Sequence, residues 1–155
     1  MDCTISLGFF SNNDKTILYT DASPVALGAV LVQEGANQAP RVISFASKAL
    51  TPTEKRYPQN QREALGAVWA VEHFSYFLLG RHFTLRTDAQ GVTFILNRSR
   101  EEFKRALTRA DGWALRLSPY NYNVEYIRGL ENIADPSSRL YEGDDAPFEE
   151  DASPW

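Results

Sequence analysis

Cysteine and long apolar runs are scarce in this sequence, and each scarcity excludes a class of protein. The single cysteine, Cys3, cannot form an internal disulfide and has no neighbouring zinc ligand, which indicates a reducing compartment. The longest apolar stretch, residues 64–79, is interrupted by Glu72 and His73, so we expect no membrane span. No basic segment leads into an apolar run after Met1, so we expect no signal peptide either.

The composition is that of one globular domain. With 155 residues, 43% of them hydrophobic and 12% aromatic, the chain is long enough to enclose a core. The net charge of −4 is unevenly distributed, because residues 141–155 contain six acids and no lysine or arginine. The remainder has 16 basic and 14 acidic side chains, a net charge of +2. A weakly basic body permits nucleic-acid binding without requiring it.

The sequence divides into three regions. Residues 1–15 hold a short apolar run and a polar turn, and they look like the end of an upstream unit. Residues 16–140 form the compact domain, and residues 141–155 are predicted to be a flexible acidic tail.

Hydrophobic periodicity predicts an α/β domain with five strands. The first three follow each other through short loops, which favours an antiparallel meander. Capping boxes at Thr51–Glu54 and Ser99–Glu102 predict two helix starts, and Gly80 predicts the end of a long helix. The predicted strands are 17–20, 26–33, 41–46, 83–87 and 124–128, and the predicted helices are a short turn after Thr51, then 59–79, 91–96, 103–117 and 131–140.

Four acids stand at the ends of these elements. Asp21 and Asp88 each close an apolar strand with the same Thr-Asp pair. If those strands are parallel neighbours, both carboxylates face the crevice at the carboxyl edge of the sheet, where α/β proteins bind ligands. Glu63, at the start of the long helix, and Asp135, at the start of the last one, could complete the cluster.

Clustered carboxylates repel one another, and a hard divalent cation relieves that repulsion. Magnesium takes oxygen ligands and often lies between carboxylates and a substrate phosphate. Two such ions, about 3.5–4 Å apart, can activate a water and stabilise the leaving oxygen of a phosphodiester. Taken singly, each acid also has a structural interpretation: Asp21 as a turn residue, Glu63 as a capping partner of Asn60, and Asp88 and Asp135 as helix caps.

These residues also carry a family resemblance. The chain resembles the ribonuclease H domain of gypsy-type LTR retrotransposons, and it shares a wider pattern with retroviral and cellular ribonucleases H. The match runs in order from about residue 16 to 140. The matching segments are residues 18–23, 28–31, 45–51, 63–65, 68–70, 77–81, 85–88, 113–117 and 132–140.

The resemblance implies a ribonuclease H-like fold, with a five-stranded mixed sheet (three antiparallel strands, then two parallel) flanked by helices. It also implies an endonuclease that cleaves the RNA strand of RNA–DNA hybrids with two Mg²⁺ ions, or Mn²⁺ in their place, leaving 5′-phosphate and 3′-hydroxyl ends. Asp21 would bridge both ions, Glu63 and Asp88 would bind the ion near the leaving group, and Asp135 would bind the ion that holds the attacking water.

The same resemblance suggests partners and a location. Residues 1–15 would be a tether from the connection region of a reverse transcriptase, and the polymerase and connection domains would be partners in one polyprotein. The expected location is a cytoplasmic virus-like particle, without membrane or small-molecule cofactor. Gln59 and Asn60 fall at minor-groove contacts of relatives, and Ser23 is a further candidate substrate contact.

Other side chains have competing interpretations. A basic cluster that includes Arg98 and Arg105 is either a phosphate-binding face or an ordinary solvated helix face. Trp69 and Trp113 are expected in the core, and His73 and His82 are expected to be structural or exposed. The loop histidine that many relatives place before the last acid is missing, as is a Trp-rich basic handle. Two other functions are a weakly active or inactive domain that binds hybrid or scaffolds the reverse transcriptase, and a transposase or integrase of related fold.

Overall fold

The computed structural model describes residues 2–36, 39–89 and 109–127. Six strands in these ranges form one sheet: β1 (Asp2–Ser6), β2 (Lys15–Ala22), β3 (Ala26–Glu34), β4 (Arg41–Ala49), β5 (His82–Thr87) and β6 (Asn121–Tyr126). Their order across the sheet is β1-β4-β3-β2-β5-β6. The predicted strands are all present, each with slightly different ends.

The sheet is mixed, as predicted. Pairing is antiparallel from β1 through β4 and β3 to β2, and parallel from β2 through β5 to β6. The expected number of five strands was wrong, because residues 2–6, assigned to a tether, pair with β4 and place Ile5 opposite Phe45. The side chain of Ile5 is 47% exposed. Cys3 and Ile5 alternate with polar residues, as strands do, but this short run was assigned to an upstream unit because nothing local shows that it pairs with β4.

Four helices lie within the described residues: α1 (Pro52–Lys55), α2 (Gln59–His73), α3 (Ser75–Leu78) and α4 (Arg109–Arg116). Helix α1 begins with the predicted capping box. The Thr51 hydroxyl accepts from the Glu54 backbone N–H at 3.1 Å, and the Glu54 carboxylate accepts from the Thr51 backbone N–H at 2.9 Å. Two N–H groups at the helix start are therefore satisfied locally.

The single long helix expected over residues 59–79 is divided. Phe74 leaves helical geometry, with φ −99° and ψ 22°, and its side chain is buried in the core. Helix α3 follows directly, and Gly80 then adopts φ +87°, a conformation that favours glycine and ends the helical segment. The predicted stop at Gly80 is thus correct, whereas the interruption at Phe74 was not predicted.

The core lies between the sheet and α2. Helix α2 packs on β2 and β3, and α4 packs against α2. Trp113 and Leu117 are buried there as predicted, while Trp69 is half-buried against the same cluster. Each fully buried leucine or phenylalanine side chain contributes about 1.5–3 kcal/mol to folding. The largest fully buried apolar side chains include Leu18, Leu27, Leu31, Leu78, Phe83 and Leu85.

A hydrogen-bonded network surrounds Gln33 at the amino end of β2. The side chain of Gln33 is fully buried, and its amide oxygen accepts from the Ser11 backbone N–H at 2.8 Å and from Arg41 at 3.1 Å. Its amide nitrogen donates to the Ser11 carbonyl at 2.8 Å and to the Thr16 hydroxyl at 3.1 Å. Arg41 also pairs with Asp14 at 2.7 Å. Donors and acceptors are matched throughout this network, which ties residues 11–16 to the sheet.

Several sequence predictions fall on residues that the structure does not describe. These are the helices at 91–96 and 131–140, the capping box at Ser99–Glu102 and the tail at 141–155. Among the helices within the described ranges, none is long and apolar enough to cross a membrane.

Candidate metal centre

The carboxyl ends of β2 and β5 bring two acids together. The two strands are parallel neighbours, with Thr20 opposite Thr87, so the next residue on each chain is an aspartate. Asp21 still pairs within the sheet, opposite Gly28 of β3, and Asp88 follows β5 directly. The repeated Thr-Asp endings therefore reach the same edge of the sheet.

Helix α2 contributes the third acid from above the sheet. Glu63 lies in its second turn, and Gly66 lies one turn further along the same face. A Cβ atom at position 66 would come within 3.3 Å of Leu27 Cδ2 and 3.7 Å of the Asp21 carbonyl oxygen. Gly66 thus packs against Leu27 of β3 and the end of β2, on the face of α2 from which Glu63 reaches Asp21.

The three carboxylates form a compact group. One carboxylate oxygen each from Asp21, Glu63 and Asp88 lies within 4.8 Å of the other two. Asp21 and Glu63 are buried, each 6% exposed, and Asp88 is half-buried. Asp135, the fourth predicted acid, lies outside the described residues. Three of the four predicted ligands are therefore assembled at one point.

The pKa of Glu63 reflects its burial beside the other acids. Burial, together with the nearby charge of Asp88, raises the pKa of Glu63 from 4.5 to about 7. Hydrogen bonds from the Gln59 side chain and the Ala22 backbone N–H, and the charge of Arg62, oppose that rise. Without a cation, the group accordingly takes up a proton more readily than an ordinary glutamate does.

The donor set fits a hard divalent cation. Every ligand atom offered by the three acids is a carboxylate oxygen, the kind that Mg²⁺ prefers. The described residues around the triad add no cysteine or histidine to it. Partial burial would also strengthen the attraction between a cation and the carboxylates. The site is therefore suited to magnesium or manganese rather than zinc.

Residues on the first turn of α2 hold Glu63 in place. The Gln59 amide nitrogen donates to Glu63 Oε1 at 2.6 Å and to the Ala22 carbonyl at 3.5 Å. Arg62 donates through Nη2 to the Gln59 amide oxygen and through Nη1 to the Tyr57 carbonyl at 2.6 Å. Arg62 was not among the site residues predicted from the sequence. Its signal was the spacing of residues 59, 62 and 63, which places all three side chains on one helix face.

The structural interpretations of the acids can now be compared with the geometry. Helix α2 begins after Pro58 without a side-chain cap, so Asn60 lies inside the helix and is not its capping residue. The turn after Asp21 is held by the Ser23 hydroxyl, which accepts from the backbone N–H groups of Val25 at 3.2 Å and Ala26 at 3.0 Å. Neither Asp21 nor Glu63 is therefore needed for the local role first considered for it.

The candidate substrate contacts differ in their exposure, and two of them are not described by the structure. Gln59 and Asn60 are exposed beside the triad, whereas Ser23 is buried and its hydroxyl is engaged in the turn. Arg98 and Arg105 lie outside the described residues. All five remain predictions.

Both histidines have structural contacts, as expected. His73 Nε2 lies 2.8 Å from the Thr4 hydroxyl and links α2 to β1. The ring nitrogens of His82 lie 3.1 Å from Asn121 Oδ1 and 2.9 Å from Asn123 Oδ1, across β5 and β6.

Solved structures show that the architecture is that of the RNase H-like proteins. The foamy viral protease-reverse transcriptase, in a complex with RNA/DNA hybrid, aligns with 93% of this chain and 18% of its own, with 17% identity and a TM-score of 0.61. The N-terminal RNase H domain of a Mycobacterium tuberculosis protein aligns with 86% of this chain and 100% of its own, with 15% identity and a TM-score of 0.55. At these identities the likeness establishes the fold.

Sequence comparison then gives the family. The family model for the RNase H-like domain found in reverse transcriptase matches residues 11–120. The retrovirus-related Pol polyprotein from transposon 297 of Drosophila melanogaster is 39% identical over 127 residues, which cover 81% of this chain and 11% of that polyprotein. The chain therefore belongs to the RNase H-like domains of reverse transcriptases, and the predicted resemblance is confirmed. It spans about a tenth of that relative.

Proposed function

We propose that this domain hydrolyses the RNA strand of RNA–DNA hybrids and leaves 5′-phosphate and 3′-hydroxyl ends. The observation that carries the proposal is the convergence of Asp21, Glu63 and Asp88, with carboxylate oxygens within 4.8 Å of one another at the carboxyl edge of the sheet. Three carboxylates this close repel one another, and a bound divalent cation would replace that repulsion with attraction.

Each acid has a place in this proposal. Asp21, Glu63 and Asp88 would hold divalent cations, with Asp135 as a fourth ligand that we carry over from the family resemblance. When bound, Mg²⁺ or Mn²⁺ supplies charge stabilisation for the phosphoryl oxygens and a water of lowered pKa. The strand and helix backbone fixes the carboxylates beforehand, so little reorganisation is needed when substrate arrives.

The choice of substrate rests on three supports. The domain belongs to a reverse transcriptase family, and its structural relative from foamy virus has been seen with RNA/DNA hybrid. Gln59 and Asn60 are exposed next to the carboxylates, where they could contact 2′-hydroxyl groups in the minor groove of a hybrid. Outside the acidic residues 141–155 the chain has a net charge of +2, which suits a polyanion. We also propose that the domain works alongside the other domains of a Pol polyprotein, and that it is located in a cytoplasmic virus-like particle.

The test is cleavage of a labelled RNA–DNA hybrid in magnesium by the 155-residue chain. We expect short RNA fragments from the wild type, and a rate lower by about a hundredfold or more for Asp88→Asn, because charge stabilisation by a bound metal contributes several kcal/mol. The matched control is Asp14→Asn, which removes a carboxylate that pairs with Arg41 far from the triad and should leave the cleavage rate unchanged.

Three outcomes would contradict the proposal. Binding of hybrid without cleavage in either magnesium or manganese would favour a domain that only binds or scaffolds. Equal rates for Asp88→Asn and wild type would remove the triad from the reaction. Strand transfer in place of hybrid cleavage would indicate a transposase-like activity.

A further inference from the structure

A chain of side-chain hydrogen bonds leads from the start of α2 to the carboxylate of Glu63. It begins at the Tyr57 carbonyl, which accepts from Arg62 Nη1 at 2.6 Å. Arg62 Nη2 then donates to the Gln59 amide oxygen, and the Gln59 amide nitrogen donates to Glu63 Oε1 at 2.6 Å. Backbone, guanidinium, amide and carboxylate are therefore connected, and Arg62 donates on both sides.

The guanidinium determines which way the amide points. A glutamine side chain can present either its oxygen or its NH₂ group, and its neighbours decide between the two. Arg62 has only donors, so the oxygen of Gln59 must face it. The NH₂ group of Gln59 is then left to face Glu63, which as a carboxylate has only acceptors. Removing Arg62 would leave the amide oxygen of Gln59 without this donor, so the side chain would be held only by its bonds to Glu63 and the Ala22 carbonyl.

We propose that Arg62 is a positioning residue for the cation site, acting through Gln59 to hold the carboxylate of Glu63 in the rotamer that faces Asp21 and Asp88. This inference rests on the proposed function, because it assigns to Arg62 a role only if the triad binds a cation. It also gives Gln59 a role within the protein, in addition to its predicted contact with substrate.

One buried atom of Arg62 supports a role beyond stability. Its Nε atom is buried and has no hydrogen-bond partner among the described residues. A buried donor left unsatisfied lowers the stability of the fold. Proteins keep such local costs mainly at sites where function requires the geometry.

A purely structural role is the main competing interpretation. Arg62 also reaches the Lys55 carbonyl at 3.5 Å, so together with its bond to Tyr57 it ties α2 to the segment that follows α1. If that were its only role, substitution would lower the free energy of unfolding without changing the affinity of the folded protein for a cation. The two interpretations therefore separate when cation affinity and stability are measured on the same variants.

The experiment measures Mn²⁺ affinity by electron paramagnetic resonance in the absence of nucleic acid, with urea unfolding alongside. Arg62→Met keeps the apolar stem and removes every donor, and we expect Mn²⁺ binding about 10–100-fold weaker, the usual effect of losing a residue that orients a metal ligand. Gln59→Leu should weaken binding by a similar factor. Arg56→Met is the matched control, because Arg56 is exposed in the turn before α2. The Mn²⁺ affinity of this variant should equal that of the wild type.

The double variant tests the route through Gln59. If Arg62 acts only through that amide, adding Arg62→Met to Gln59→Leu should weaken Mn²⁺ binding no further, because residues that act as one unit are not additive. Arg62→Lys can donate to one of the two acceptors and should fall between wild type and Arg62→Met. If Arg62→Met fails to fold, Gln59→Leu alone still tests the last link of the chain.

The outcomes distinguish failure of this inference from failure of the proposed function. A wild type that binds no Mn²⁺ would overturn both. A wild type that binds Mn²⁺, with unchanged affinity in Arg62→Met or in Gln59→Leu, would overturn the positioning role alone. Unchanged Mn²⁺ affinity with a raised KM for hybrid in Arg62→Met would instead make Arg62 a substrate contact.

Discussion

The two ends of β2 hold two polar clusters that differ in their composition. At the amino end, Gln33 is fully buried with both donors and acceptors around it, and each polar atom of its amide has a partner. At the carboxyl end, Asp21, Glu63 and Asp88 are gathered with like charges facing each other. Both clusters are buried to a similar degree, so burial alone does not tell a structural cluster from a functional one.

The difference lies in charge balance. A network with matched donors and acceptors is stable without help, and it fixes the local chain. A group of acids lowers stability unless something positive arrives, as the raised pKa of Glu63 shows. The first cluster should therefore respond to substitution with lost stability and the second with lost ligand binding. Three measurements test this difference between the two clusters.

The largest effect on stability should come from pH, acting through Glu63. Between its unfolded pKa of 4.5 and its folded pKa of about 7, the metal-free folded chain holds a proton that the unfolded chain has released. The stability contribution of Glu63 is thus fully present below pH 4.5 and is lost as the pH rises to about 7, by up to about 3 kcal/mol. Urea unfolding at pH 5 and pH 7.5, with a chelator present, measures the fall.

Two controls belong to this measurement. Glu63→Gln has no proton to lose and should remove the Glu63 part of the fall. Millimolar Mg²⁺ should also reduce it, because a cation that binds only the ionised folded form stabilises the protein at the higher pH. Equal unfolding free energies for wild type at the two pH values would break the contrast between the two ends.

A smaller loss is expected from Gln33→Ala. The substitution leaves the Ser11 backbone N–H and carbonyl without their amide partner, and we expect the free energy of unfolding to fall by about 1–3 kcal/mol. Mn²⁺ affinity should stay at the wild-type value, since Gln33 lies at the far end of β2 from the triad. Urea unfolding and Mn²⁺ titration of the same preparation measure both quantities. A loss of Mn²⁺ affinity would show that the two ends are coupled.

The smallest effect is expected at the surface pair of Arg116 and Glu72, which joins α4 to α2. Their side chains are 51% and 36% exposed, so water and salt screen the attraction. Glu72→Gln should change the free energy of unfolding by less than about 1 kcal/mol, and the difference should shrink in 1 M salt. Urea unfolding at low and high salt provides the measurement. A larger change in the free energy of unfolding that persists in high salt would show that this pair behaves as a buried ion pair.

Much of the fold could be predicted because its signals are local. Apolar runs identify β2 to β6, the Thr51–Glu54 capping box identifies α1, and Gly80 marks the end of the helical segment. The meeting of Asp21 and Asp88 followed from the rule that parallel strands end at the same edge of a sheet. These inferences need only a few neighbouring residues, or one general rule of topology.

The features that escaped prediction depend on distant pairings. Strand β1 alternates apolar and polar residues, but only its register with β4, some 40 residues away, shows that it belongs to this sheet. The partners of Gln33 likewise come from Ser11 and Arg41, on separate segments. Arg62 was missed for a different reason: its role is carried by another side chain, and a sequence shows residue types without showing which atoms they engage.

Gly66 gives the cation site an unusual dependence on shape. A Cβ atom there would stand 3.3 Å from Leu27 Cδ2 on β3, a tight contact, and 3.7 Å from the Asp21 carbonyl oxygen, an ordinary one. A larger residue at this position would press first on Leu27, and we expect it to widen the distance between Glu63 and Asp21. An apolar contact with β3 therefore limits the size of residue 66 one helical turn from Glu63.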